Sequence, residues 1–171
     1  TYYLSQYLIE NFPAKRFVFD AGSLQMMERN WFLKLRQKPI ITPHQKEFER
    51  LFNFSLRQKS LKEKTQIVKE LAKKYQTIIL IKAIDDIISD GEKVYIIQGG
   101  NAGLTKGGTG DILAGLTVSF YTKNEPLDSA LIASYLLKKT ADILFEEKGY
   151  WYNINDIIQL VPKVLKKLVN L

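Results

Sequence analysis

The chain has 171 residues, 46% hydrophobic and 25% charged, with a formal net charge of +7 and no cysteine. That length fits a single domain, 1–171, with a real core, and the missing cysteines exclude disulfides, thiolate zinc sites and a cysteine nucleophile. No apolar run is long enough to span a membrane and no signal peptide is visible, so the expected setting is cytoplasmic, without a membrane partner.

Taken in chain order, residues 2–12 have apolar positions at helical spacing, and Pro13 ends that element. FVFD, 17–20, reads as a short buried strand closing on an acid. Residues 23–29 are a short helix or a turn, and PIIT, 39–42, is a second brief strand. Thr42, with Pro43 at the first helical position and Gln45 three residues on, predicts an N-cap for the helix HQKEFERLF. Ser60 with Glu63 repeats the capping pattern for a helix reaching about Tyr75. Its lysines, Lys62, Lys64, Lys69, Lys73 and Lys74, have no aromatic residues interleaved among them. We read them as a solvated face that favours an anionic small molecule, and we expect no nucleic acid partner.

TIILIK, 77–82, is apolar and rich in β-branched residues, as in a central parallel strand. DIIS and KVYII flank Asp90-Gly91, a hairpin signal. After a glycine-rich loop, residues 109–121 form a buried helix. A second runs over 127–147 behind Pro126, and a third over about 156–169, capped by Asn153 or Asn155 and kinked at Pro162 if that proline lies beyond the first turn. Strands separated by helices predict an α/β fold of three layers, a mostly parallel sheet covered on both faces with one embedded β-hairpin.

Seven of the ten glycines lie between Gly99 and Gly115, in the stretch that contains GNAGLTKGGTGDILAGL, 100–116. Apolar segments flank it, unlike a linker. A strand, a glycine loop and a helix in succession make an anion site, because the first helical amides have no intrahelical acceptor and the helix dipole is positive there. Gly107, Gly108, Thr109 and Gly110 would turn N–H groups to a phosphate, and Lys106 would add a full charge. A P-loop is excluded because Thr109 stands where lysine is needed; a dinucleotide fingerprint fails at Leu113. Asp111 is either a helix-dipole partner or an acid placed to take a proton from an attacking hydroxyl.

GGTGD before an apolar helix resembles the C-terminal signature of the ribokinase-like superfamily. The longer stretch is similar to the GNPGMATGGTGDVLTGI-type segment of ADP/ATP-dependent NAD(P)H-hydrate dehydratases, the YjeF C-terminal domain family. ITPHQKEFERLF, 41–52, resembles their LTPHPGEFARL; VFDAGSL, 18–24, their DAD segment; and IILIKAIDDIIS, 78–89, their LKGxxT segment. The four segments come in the family's order and span nearly the whole chain.

The resemblance implies a ribokinase-like fold and repair of hydrated NADH and NADPH, in which ATP or ADP phosphorylates the hydrate and phosphate then leaves. It implies Asp111 as the catalytic residue and Gly108, Thr109 and Gly110 as the anion hole. Lys82, Ala83, Ile84, Asp85 and Asp86, with Lys106, Gly107 and Gly110, would bind the nucleotide. His44, Asp20 and Asp111 would face the NAD(P)H hydrate, and Glu47 would organise Mg2+ and its waters. Without the resemblance, His44 is an ordinary early helical residue, Glu47 a surface partner of Arg50 and Lys82 the end of a buried strand.

Three positions depart from the family pattern. Gly22 replaces the second aspartate of DAD, Ala83 replaces a glycine, and Asp86 replaces a threonine and would oppose nucleotide phosphate; Lys106, in place of a small residue, would compensate. The family domain also carries a substantial portion before VFDAGSL, whereas only about sixteen residues precede it here. The fold is therefore expected to be N-terminally truncated, and the exposed surface to be covered in a homo-oligomer or by a complementing N-terminal segment. Other readings are a small-molecule kinase for a sugar or vitamin-precursor alcohol, and a non-catalytic nucleotide-binding fragment.

Overall fold

A computed structural model describes residues 1–169. The elements in order are α1 (Tyr2–Asn11), β1 (Val18–Phe19), α2 (Gly22–Met26), a 3-10 helix (Arg29–Lys34), β2 (Ile40–Ile41), α3 (Gln45–Phe52), α4 (Leu61–Tyr75), β3 (Ile78–Ile81), β4 (Asp86–Ser89), β5 (Val94–Ile97), α5 (Thr109–Tyr121), α6 (Pro126–Lys148) and α7 (Ile154–Leu168). The sheet follows chain order, β1-β2-β3-β4-β5. β1, β2 and β3 pair in parallel, and β4 is antiparallel to both β3 and β5. Four strands thus run one way and β4 alone runs back. The hairpin closes one end of the sheet instead of lying inside it.

Side-chain alternation along the strands divides the interior in two. Ile41, Ile79, Ile81 and Ile87 face a core built with α1 to α4, including Phe48, Phe52 and Tyr75. Ile40, Ile78, Leu80 and Ile88 face the other, built with Leu113, Tyr121, Leu136 and Ile157 from α5, α6 and α7. β3 is buried at all four positions, as a central strand covered on both faces must be.

Most capping expectations hold, and one moves. Ser60 and Glu63 make the capping box of α4, and Asn153, not Asn155, caps α7 with Asp156 returning the bond. Pro162 lies inside α7. At α3 the cap is His44, not Thr42. His44 Nδ1 accepts the Glu47 N–H at 3.2 Å, and Glu47 Oε2 accepts the His44 N–H at 3.0 Å. Strand pairing delays the helix: the Thr42 N–H bonds Phe19 O, the Lys82 N–H bonds Pro43 O, and His44 bridges Lys82 in parallel. Sheet hydrogen bonds therefore override the local Thr-Pro signal. The segment after α2 holds a 3-10 helix that local patterning did not predict; it buries Trp31 and Phe32.

Candidate nucleotide and substrate cleft

The strands that run in the same direction end on one edge of the sheet, where ligands bind in open α/β folds. β1 delivers Asp20 there, β2 delivers His44, β3 delivers Lys82, and β5 leads into Gly99 and Gly100. A cleft of about 770 Å3 opens at this edge, lined by His44, Lys82, Ala83, Ile84 and Asp86 on one side and the loop from Gly99 to Gly110 on the other. Its size suits a nucleotide-sized ligand.

Two side chains fold the glycine loop into shape. The Thr109 hydroxyl lies 2.7 Å from Leu104 O and 2.9 Å from Lys106 O. Asn101 Oδ1 accepts from the Gly103 N–H at 3.0 Å and from the Tyr152 hydroxyl at 2.7 Å. Tyr152 packs so closely that a Cβ on Gly103 would overlap its hydroxyl. Gly108, at φ +95°, turns the chain into α5, whose N terminus has no side-chain cap among the described residues. The amides of Gly108 and Gly110 therefore begin a helix without a side-chain cap among the described residues, and Asp111 is the acid of its first turn. Thr109 departs from the expected cradle, since its own amide points at Lys106 O, 3.4 Å away.

Charge clusters beside that helix end. Lys82 Nζ donates to Asp20 Oδ1 at 2.7 Å and lies 4.0 Å from Glu47 Oε2. A Cβ on Gly110 would sit 3.5 Å from Lys82 Nζ and 3.7 Å from Asp20 Oδ2, so the α5 N terminus abuts this pair. Asp111 follows on the first turn of α5 and is exposed; it does not line the cleft and borders a shallower hollow with Ile112, Ile154 and Ile158. Its carboxylate caps nothing and is not buried in packing.

Glu47 is 5% exposed, with His44 Nε2 3.5 Å and Gln25 Nε2 3.4 Å from its Oε1. His44 Nδ1 is engaged as the acceptor of the Glu47 amide. Among the described residues no group of three or more histidine or acidic side chains is placed to hold a metal. Glu47, with both oxygens engaged, fits magnesium only through the ion's waters, which suits an ion that arrives on phosphates.

Three expected ligand-side residues stand differently from their prediction. Asp85 does not line the cleft. Lys106 donates to Tyr150 O at 2.8 Å and lies over the Tyr152 ring, 4.3 Å from its centroid, so its charge is partly spent on the loop's support. Asp86 does not stand as an unanswered charge toward phosphate. It is 6% exposed, its Oδ1 accepts the Ala83 N–H at 2.9 Å, its Oδ2 accepts the Ser134 hydroxyl at 2.7 Å, and Lys138 Nζ lies 3.5 Å away. Burial pushes the Asp86 carboxyl up against the pull of the Ala83 amide, Lys138 and Ser134. Sequence reasoning missed Lys138, Asn101, Asp142 and Tyr152; only Asn101, inside the glycine motif, carried a local signal.

Proteins similar to this chain in sequence and in fold point to one family. A bifunctional NAD(P)H-hydrate repair enzyme Nnr from Archaeoglobus fulgidus is 36% identical over 126 residues, covering 74% of this chain and 25% of its own length. The ADP/ATP-dependent NAD(P)H-hydrate dehydratase of Bacillus subtilis, co-crystallised with ATP and Mg2+, superposes with a TM-score of 0.82 at 26% identity, over 95% of this chain and 59% of that one. A ribokinase-like superfamily protein from Enterococcus faecalis superposes with a TM-score of 0.79 at 25% identity, over 96% of this chain and 57% of its own. The chain thus spans a quarter of the archaeal enzyme and less than two thirds of either structure. A family model described as NAD(P)H-hydrate dehydratase matches residues 3–163, nearly the full chain, and the protein belongs to that family, on a ribokinase-like fold.

Proposed function

We propose that the cleft carries out nucleotide-dependent dehydration of NAD(P)H hydrate, with ADP or ATP as phosphoryl donor. One observation carries this reading: an uncapped helix N terminus and a lysine–aspartate pair meet beside one cleft, and the Asp111 carboxylate stands exposed on the first turn of that same helix. Each supplies a different requirement of phosphoryl transfer.

The hydrate hydroxyl attacks the terminal phosphoryl group while Asp111 takes its proton. The Gly108 and Gly110 amides and the α5 dipole hold the charge that spreads over the transferring oxygens. Thr109 contributes through its hydroxyl, which fixes the loop, more than through its amide. Lys82 neutralises the donor's terminal phosphate from its seat on Asp20, and His44 borders the substrate side. Ala83, Ile84 and Gly107 line the nucleotide side. Glu47 would face the waters of a magnesium ion, which would supply charge neutralisation on the phosphates. The donor's terminal P–O bond breaks and the shortened nucleotide leaves; the phosphate ester's C–O bond then breaks, inorganic phosphate departs with the electron pair, and loss of a proton from the adjacent ring carbon forms the double bond that restores the dihydronicotinamide.

The test follows NADH absorbance recovered from its hydrate with ADP or ATP, alongside phosphate release. Asp111→Asn is expected to lose roughly 10²–10⁴-fold in turnover, the usual contribution of a positioned base, with the fold intact. A stable phosphorylated product would point to a kinase and overturn the dehydratase reading.

A covered surface belongs to the same proposal. Tyr3, Leu4 and Tyr7 on α1 are 84%, 62% and 55% exposed. Apolar exposure of this kind supports coverage by a second copy or by a further segment of the domain. A monodisperse monomer in sedimentation would argue against self-association.

A further inference from the structure

One side chain outside every recognised motif holds the inner wall of the cleft. Lys138, in the middle of α6, is 5% exposed. Its Nζ lies 2.6 Å from Ile84 O, 3.2 Å from Ala83 O and 3.2 Å from Gly99 O. An ammonium has three protons, and three carbonyls take them. Lys138 therefore has no donor left to offer a ligand, although it lines the cleft.

The carbonyls belong to the two segments that face each other across the cleft. Ala83 and Ile84 form the β3–β4 turn, and Gly99 leaves β5. Asp86 closes the turn from its other side by accepting the Ala83 amide. The rest of one α6 face continues the pattern. Ser134 donates to Asp86, and Asp142 Oδ2 accepts the Gly100 N–H at 3.1 Å. Ala141 O accepts from Asn101 Nδ2 at 2.9 Å. Residues 134, 138, 141 and 142 follow helical spacing, so one stripe of α6 fixes both walls.

Core filling does not require this arrangement. A buried ion pair contributes little net stability compared with apolar groups of equal size. What it supplies is directed bonding, from one point, to backbone of two separate segments. Ile84 shows the effect: its carbonyl is tied to Lys138 while its residue is 92% exposed at the cleft lip. Its backbone is fixed and its apolar surface is left for a planar ring.

We propose that Asp86 and Lys138 are a positioning pair that presets the spacing between the 83–86 turn and the 99–101 loop, so that the heterocycle of a nucleotide meets a wall already formed. The nucleotide part of this statement rests on the function proposed above; the positioning part does not.

The test uses the double variant Asp86→Asn/Lys138→Met, which removes both charges at similar volume. Amide hydrogen exchange of 83–86 and 99–101 is read without ligand, together with the thermal midpoint and ADP affinity. The expected result is a midpoint near that of the wild type, exchange in both segments faster by roughly tenfold or more, and ADP binding weaker by about the same factor, the scale of one charge-assisted hydrogen bond. Unchanged exchange overturns the pair as a positioning device. Faster exchange with unchanged ADP affinity overturns its link to the nucleotide. Wild-type protein that binds no ADP counts against the parent reading, while the ligand-free exchange still decides the pair. Should the double variant not fold, Ser134→Ala keeps both charges and frees Asp86 Oδ2. It is expected to speed exchange in the 83–86 turn, and wild-type exchange there would count against the proposal.

Discussion

The two ends of the cleft are built on opposite plans. At the α5 end, no side chain among the described residues caps the helix, and glycines flank its first amides. At the α6 end, backbone acceptors are tied down, with three carbonyls converging on Lys138. The first plan suits a ligand that brings its own negative charge. The second suits a ligand that is recognised by shape, because a fixed wall avoids the ordering cost of binding.

The largest expected effect on stability lies at the second end. Asp86→Asn leaves Lys138 buried without its counter-charge, and the expected loss is about 3–5 kcal/mol, measured by chemical denaturation. The Asp86→Asn/Lys138→Met variant should recover most of that loss; failure to recover it would mean that the pair is not the cause. Gly103→Ala comes next. Its Cβ would overlap the Tyr152 hydroxyl, so roughly 1–3 kcal/mol of overpacking strain is expected. Phosphate-end affinity should fall with it, because Tyr152 and Asn101 shape the glycine loop.

A smaller effect concerns the support of that loop from α7. Asn153→Ala removes the α7 cap and should cost about 1 kcal/mol. Smallest is a pH effect at the same cap. The Lys148 hydrogen bond, with that of the Asn153 amide, holds the Asp156 carboxyl below its ordinary value. With the folded value depressed, the stabilisation is present above the unfolded carboxyl's range and disappears as pH falls through the folded one. Protection of the amides in the first turn of α7, taken relative to the intrinsic exchange rate at each pH, should therefore fall in acid and be insensitive to pH near neutrality.

The same contrast explains what could be read from residues alone. The α5 end is local: glycines, Thr109 and Asp111 lie within a few positions, and their spacing states a loop entering a helix. The strands were legible because TIILIK and DIIS have the apolar content of a covered sheet. The α6 end is non-local. Asp86 and Lys138 are distant in sequence, and nothing near Lys138 distinguishes it from the surface lysines of α4. Reading Asp86 alone produced a charge opposed to phosphate; only the folded chain supplies its counter-ion. Thr42 misled for a related reason, since its Thr-Pro cap signal is local and the β1 to β3 pairing that keeps it extended is not.

The most direct test of the central claim is a titration of isotopically labelled protein with ADP, following backbone amide resonances. The account predicts saturable shifts largest at Gly107, Gly108 and Gly110, with weaker ones at Ala83 and Ile84. Saturable ADP binding that leaves the Gly107–Gly110 amides unmoved would contradict it.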